Sequence, residues 1–273
     1  SVPSGAARQP YFIILIFVYF NVTITFYTVG KEDTAIEKNE LKMPCERKMK
    51  KTIPSYTGTL RDHSINVPQC IYECSGISIF GRRIKSLVFS TDAAIIKNIN
   101  TDAVLAVYPF TPQPIISQSI IAVSDVPVFV GVGGGLTTGA RSVRLAIEAE
   151  HQGAYGVVVN APIACDVISE IKQCVEIPVV ATVISEKQDI DERIAAGADI
   201  LNVSAAAKTP ELVRFIRERY PDIGIIATGG PTDETILATI NAGANAITYT
   251  PPTNGELFAA SMRRYRDRFT EEK

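Results

Sequence analysis

From Ser86 onward the chain alternates short, continuous apolar runs with longer stretches in which apolar positions recur every three or four residues. The runs predict strands at Ser86–Ser90, Ala103–Tyr108, Pro127–Val132, Gly156–Asn160, Val179–Val183, Asp199–Val203, Gly224–Thr228 and Ala246–Thr250. Unbroken apolarity is what a parallel strand covered on both faces requires. The intervening stretches predict helices. In the one at Pro210–Tyr220, Leu212, Val213, Phe215 and Ile216 face inward while Arg214, Arg217, Glu218 and Arg219 are mostly solvated. Pro210 suits a first helical turn, where a missing N–H costs nothing.

Two strand headers repeat. Val126-Pro127, Ile177-Pro178 and Ile223-Gly224 open one set of runs, and Gly153-Ala154, Gly197-Ala198 and Gly243-Ala244 open the other. The Gly-Ala header recurs 44 and then 46 residues apart, the length of two strand–helix units. Eight such units predict an α/β chain folded as a (β/α)8 TIM barrel, whose chemistry sits at the C-terminal ends of its strands. Gly197 and Gly243 fall where helices end in left-handed caps.

The chain divides into three parts: an extension at 1–48, a lead-in at 49–84 and the barrel at 85–273. The lead-in is expected to form a short helix or hairpin that covers one barrel mouth. The extension does not match the rest. Its run YFIILIFVYF at 11–20 is interrupted at Asn21 and is marginal as a membrane span. Three readings stand for it: upstream sequence with the natural start at Met49, a membrane anchor, or an accessory segment. For the barrel itself no membrane is expected.

Charge and cysteine content narrow the classes. A net charge of −2 leaves no broad basic field, which argues against nucleic acid as a partner. Five cysteines, an odd number in a large α/β chain, argue for a reducing compartment, read here as the cytoplasm. Cys70 and Cys74 lack a second ligand pair at zinc spacing, so no metal site is expected. Homo-oligomerisation is left open.

Candidate chemistry gathers at the predicted strand ends. After the seventh strand, Gly229 and Gly230 precede a helix start; after the eighth come Thr250 and Thr253. Such a pair of loops builds a phosphate site in many barrels, from backbone N–H groups and a helix terminus. The loop after the third strand, with Gly133, Gly134, Thr137 and Thr138, is a second ligand loop; Arg141 lies just beyond. It lacks the ending of a P-loop and the spacing of a dinucleotide fingerprint. Asp92 is a general base or a helix N-cap, Asn160 and Asn202 could orient a substrate, and Lys208 is a Schiff-base amine or a solvated loop lysine. Tyr108, Thr182, Glu186 and Ser204 complete this thin polar set. His63, with Arg61 and Asp62, could reach a mouth from the lead-in, whereas His151 falls on a helix away from the catalytic face. No Ser-His-Asp order, HExxH or tight carboxylate pair stands out.

The segments YTGTLRDHSIN (56–66), GVGGGLTTGARS (131–142), GVVVNAP (156–162), ADILNVS (198–204) and IIATGGPTDETI (225–236) resemble an uncharacterised bacterial family of TIM-barrel proteins commonly labelled hydrolases. The resemblance covers about 52–268 and carries no assigned catalytic residues. At a broader level, IIATGGPTDETILATINAGANAITYT is similar to the last quarter of phosphate-binding barrels of the ribulose-phosphate type. The resemblance implies an enzyme acting on a phosphorylated small molecule, with hydrolysis as first reading. Alternatives are a sugar-phosphate isomerase or aldolase, an oxidoreductase using flavin mononucleotide (FMN), and a non-catalytic barrel that binds a phosphometabolite. Outside the flavin reading, no cofactor is expected.

Overall fold

The structure, a computed structural model, describes residues 24–28, 37–41, 54–56, 58 and 65–271. The chain forms two compact units, 1–57 and 58–273. In the first, strands β1 (Ile24–Thr28) and β2 (Glu37–Leu41) pair antiparallel, with Ile24 opposite Leu41. The apolar run at 11–20, Met49 and the Arg61–His63 group lie outside the described residues. Among the described residues no helix is long and apolar enough to cross a membrane.

The second unit is the predicted barrel. A hairpin of β3 (Ile77–Ile79) and β4 (Arg82–Ile84) leads into eight strands: β5 (Ser86–Phe89), β6 (Ala103–Ala106), β7 (Val128–Gly133), β8 (Gly156–Val159), β9 (Val179–Val183), β10 (Ile200–Val203), β11 (Gly224–Thr228) and β12 (Ala246–Tyr249). Neighbours in sequence are neighbours in space, all parallel, and β12 closes the barrel onto β5. The helices are α1 (Ala93–Lys97), α2 (Pro114–Val123), α3 (Ala140–His151), α4 (Cys165–Cys174), α5 (Ile190–Ala195), α6 (Thr209–Arg219), α7 (Asp233–Asn241) and α8 (Asn254–Glu271). Several predicted strands shorten at their C-terminal ends, where residues such as Ser90, Tyr108 and Thr250 leave the ladder for the loops. β7 instead lengthens to Gly133 through a register irregularity against β8 between Gly131 and Gly133.

The Gly-Ala repeat has a structural cause. Its glycines take the left-handed conformation after α3, α5 and α7, and the alanines that follow are buried. The next residue reaches back to an earlier segment. Asp199 accepts the Val179 N–H at 2.8 Å, and Asn245 accepts that of Ile225 at 2.9 Å. Asp102, at the same place before β6, accepts the N–H groups of Lys85 and Ser86. A helix stop, a packing residue and a tie at the start of the preceding strand are thus compressed into three positions. The Tyr155 hydroxyl, in the third position before β8, donates to the Ile79 carbonyl at 2.8 Å.

Side chains alternate between two cores. Leu87, Leu105, Phe129, Val158, Val180, Ile200, Ile226 and Ala246 fill the barrel, joined from below by Ile79 and Ile84 of the hairpin. The hairpin therefore plugs the N-terminal mouth, opposite the predicted chemistry. Upstream of the hairpin, Val67, Ile71 and Cys74, around the 3-10 turn Gln69–Glu73, join the outer core with Val88 and Ile247. This segment packs on α7 and binds Asn100 through the Val67 N–H and the Tyr72 hydroxyl.

Candidate active site at the C-terminal mouth

The barrel filling changes character one step above the apolar layer. Two residues beyond Val158, Val180, Ile200, Ile226 and Ala246 stand Asn160, Thr182, Asn202, Thr228 and Thr248. A two-residue step keeps a side chain on the same face of its strand. Strands β8 to β12 thereby end in an arc of neutral amides and hydroxyls. The other side of the mouth is apolar or bare, with Phe89, Val107, Gly131 and Gly133 from β5 to β7.

The arc is partly self-satisfied. Asn202 Nδ2 donates to Thr182 Oγ1 at 3.3 Å, and Thr228 Oγ1 to Ser204 Oγ at 3.3 Å. Thr248 Oγ1 is buried and has no hydrogen-bond partner. A hydroxyl desolvated without a partner costs about 1–3 kcal/mol, so something outside the protein must normally satisfy it. Thr248 and Thr228 lie on the wall of a cleft of about 710 Å³ formed by the loops after β11 and β12. Gly230, Thr250 and Thr253 line that cleft, and Gly229 does not. Its lining also carries Asp233 and Glu256, and neither Lys nor Arg. Thr253 and Glu256 form a reciprocal capping box at the start of α8, which holds the Glu256 carboxyl below its ordinary range through hydrogen bonds from the Thr253 N–H and hydroxyl. The Gly229 N–H donates to the Thr248 carbonyl at 3.3 Å. An anion in this cleft would rest on other backbone N–H groups and on hydroxyls, without a cationic side chain.

A second, smaller cleft of about 140 Å³ opens on the β6–β8 side, lined by Val107, Tyr108, Phe110, Gly133, Thr137 and Asn160 among others. The glycine loop is built for close packing. A Cβ on Gly134 would lie 2.6 Å from the Asn160 nitrogen, and the Gly134 φ of +112° is one that side chains avoid. The Asn160 N–H donates to the Gly133 carbonyl at 2.9 Å. The buried Thr137 offers its carbonyl to the Gly134 N–H and the Ser142 hydroxyl; Thr138 is exposed and outside the cleft lining.

Other candidates are placed elsewhere. Asp92 is the N-cap of α1: Oδ1 accepts the Ala94 and Ile95 N–H groups, and Oδ2 accepts from Asn254 Nδ2 at 2.6 Å. Lys208 ends an exposed 3-10 turn, Ala206–Lys208, and is itself exposed. Among the described residues no group of three or more His, Cys, Asp or Glu comes together to hold a metal ion.

Two features escaped the sequence reading. The value of Thr248 as a site residue shows only through its two-residue step beyond Ala246. Arg193, 6 % exposed in mid-helix, donates to the Ala161 carbonyl at 2.6 Å, and Gln188 donates to the same oxygen at 3.1 Å. Together they brace the loop that carries Asn160. Sequence spacing alone gives no sign that this arginine turns inward.

No family model matches the chain, and no curated protein matches it. Solved structures do. A phosphonopyruvate hydrolase is 14% identical over 71% of this chain and 85% of its own, with a TM-score of 0.53. A 2,3-dimethylmalate lyase, described as a PEP mutase/isocitrate lyase superfamily member, is 12% identical over 74% and 85%, with a TM-score of 0.53. A phosphoenolpyruvate phosphomutase from Streptomyces platensis subsp. rosaceus is 14% identical over 74% and 85%, with a TM-score of 0.52. At such identities the likeness establishes the shared barrel and nothing finer.

Proposed function

We propose that the barrel is an enzyme that isomerises or cleaves a phosphorylated small molecule, in the manner of sugar-phosphate isomerases and aldolases. The observation that carries this reading is the neutral arc of Asn160, Thr182, Asn202, Thr228 and Thr248, with the partnerless Thr248 hydroxyl beside the two-loop cleft. Fixed neutral dipoles suit a carbonyl or enolate oxygen on which charge develops, since they need no reorganisation as it forms. The Gly230 and Thr250 side of the cleft would receive the phosphate, with Gly229 shaping the turn and Thr253 capping α8, and Asn160 and Asn202 would orient the reacting end. Proton transfer would fall to Asp92 at the rim, once Asn254 releases it. The fold is shared by a mutase and a lyase as well as a hydrolase, so it accommodates this reading beside the hydrolysis implied by the resemblance, and the neutral arc decides the preference.

The test is thermal unfolding of the full chain against phosphorylated sugars, FMN and free phosphate, in the native protein and in Thr248→Val. A ligand at a hundredfold its dissociation constant adds about 2.7 kcal/mol of stability. A rise with a sugar phosphate that Thr248→Val diminishes is the expected result, followed by turnover of that ligand without incorporation of solvent oxygen. Incorporation of solvent oxygen would return the reading to hydrolysis. A yellow protein stabilised by FMN would establish the flavin reading instead, and stabilisation without turnover would leave a binding barrel. No rise with any phosphate ester, in folded protein, would sink the proposal.

A further inference from the structure

The last helix does not lie on the barrel. Among the described residues only its first turn is attached: Leu257 packs on the outer core, and Asn254 holds Asp92. From Phe258 onward every residue with described burial is exposed except the partly buried Ser261. The place an eighth helix would take, over β12 and β5 between α7 and α1, is filled by the chain's own segment around Val67, Ile71 and Cys74. α8 therefore has no seat on its own barrel.

Its exposed face is patterned. Phe258, Met262, Tyr265 and Phe269 are 72%, 40%, 54% and 75% exposed. Their spacing of four, three and four residues is the a/d seam of a helix that pairs with another helix. An isolated helix on a monomer has no use for such a stripe. Taking about 200 Å² for a large side chain, the four expose roughly 480 Å² per copy, against about 800 Å² per partner in a standard interface. One seam thus supplies more than half of what a stable dimer needs. Flanking aliphatic stems of arginine can supply much of the rest.

We infer that the chain forms a two-fold dimer in which α8 pairs antiparallel with α8 of a second copy. Charge selects the direction. Arg263, Arg264, Arg266 and Arg268 crowd the C-terminal half, while Ala259, Ala260 and Ser261 flank the seam in the N-terminal half. Parallel pairing would set the two arginine-rich halves side by side. Antiparallel pairing sets Arg266 against Ala259 and Arg268 against Ser261 of the other copy, so that small neutral residues receive the charged ones. Both copies use the same surface, which closes the assembly at two.

The experiment is sedimentation velocity of the full chain across a dilution series, with two variants. Met262→Lys/Tyr265→Lys changes only exposed positions; it should raise the dissociation constant on the order of a hundredfold or more and leave the unfolding midpoint of the separated monomer unaltered. Ala259→Glu adds a carboxylate opposite Arg266 of the partner twice per dimer, and should tighten the dimer by about fivefold. In a parallel pair that carboxylate meets no arginine, so unchanged affinity overturns the antiparallel arrangement. A native chain that stays monomeric at every concentration overturns the dimer. A dimer indifferent to the double lysine variant places the interface elsewhere and overturns the role of α8.

Discussion

Thr248 concentrates the argument for a ligand into one oxygen. Its hydroxyl is buried without a partner, so replacing it should not weaken the empty protein. Thr248→Val is expected to leave stability unchanged or raise it by up to about 1 kcal/mol, read by chemical denaturation. A clear loss would mean the hydroxyl has an internal partner. Asp92 makes the opposite case, since its carboxylate caps α1. Asp92→Ala should cost about 1 kcal/mol, whereas Asp92→Asn keeps the cap. If turnover falls in both variants, the charge itself serves the reaction; if only stability falls, and only in the alanine variant, Asp92 is a cap alone. Adjacent glycines give a third contrast. Gly134→Ala, pressed on the Asn160 backbone, should cost about 2 kcal/mol or more. Gly135→Ala, with open space around it, should stay within about 0.5 kcal/mol in the same measurement.

Among elements, the hairpin that plugs the floor is the most consequential addition to the bare barrel. Ile84 is fully buried against the inner layer, and Ile84→Ala should cost about 2–4 kcal/mol in a urea titration, as for any well-packed core isoleucine. Which elements form was legible in the sequence, because strand parity, helix spacing and glycine stops are local signals that here agree with one another. Which mouth the lead-in covers was not, since this depends on Ile79 and Ile84 meeting Phe129 and Ile226, contacts made across the whole barrel. The site was half legible. Loops that follow strands are visible as sequence, so a cleft between the Gly230 and Thr250 loops could be anticipated. The side chain that turns inward from a strand end is decided by parity, and that picks out Thr248 only once the strand boundaries are known. Thr253 was read as a ligand group because a threonine beyond a strand looks the same whether it meets a phosphate or caps a helix; the capping box with Glu256 shows the second use.

At the scale of the molecule, two cysteines mark the seam between lead-in and barrel. Burial pushes the Cys74 thiol up to about 12, with the charge of Lys85 pulling weakly the other way. The sign of the consequence follows directly. A thiol that ionises near 9 in the unfolded chain and near 12 in the folded one contributes stability that is whole below pH 9 and is lost as pH climbs toward 12. Unfolding midpoints should fall over that window, and Cys74→Ala should flatten the fall while lowering the neutral-pH value. The ring itself is joined by the pairing of Ile247 with Ser86, residues from opposite ends of the barrel sequence. Until the ribosome has delivered β12, both β5 and β11 must present bare strand edges to solvent or to each other's neighbours. A nascent barrel of this kind is therefore exposed to mispairing from its first strand to its last, and its safe interval begins only with β12.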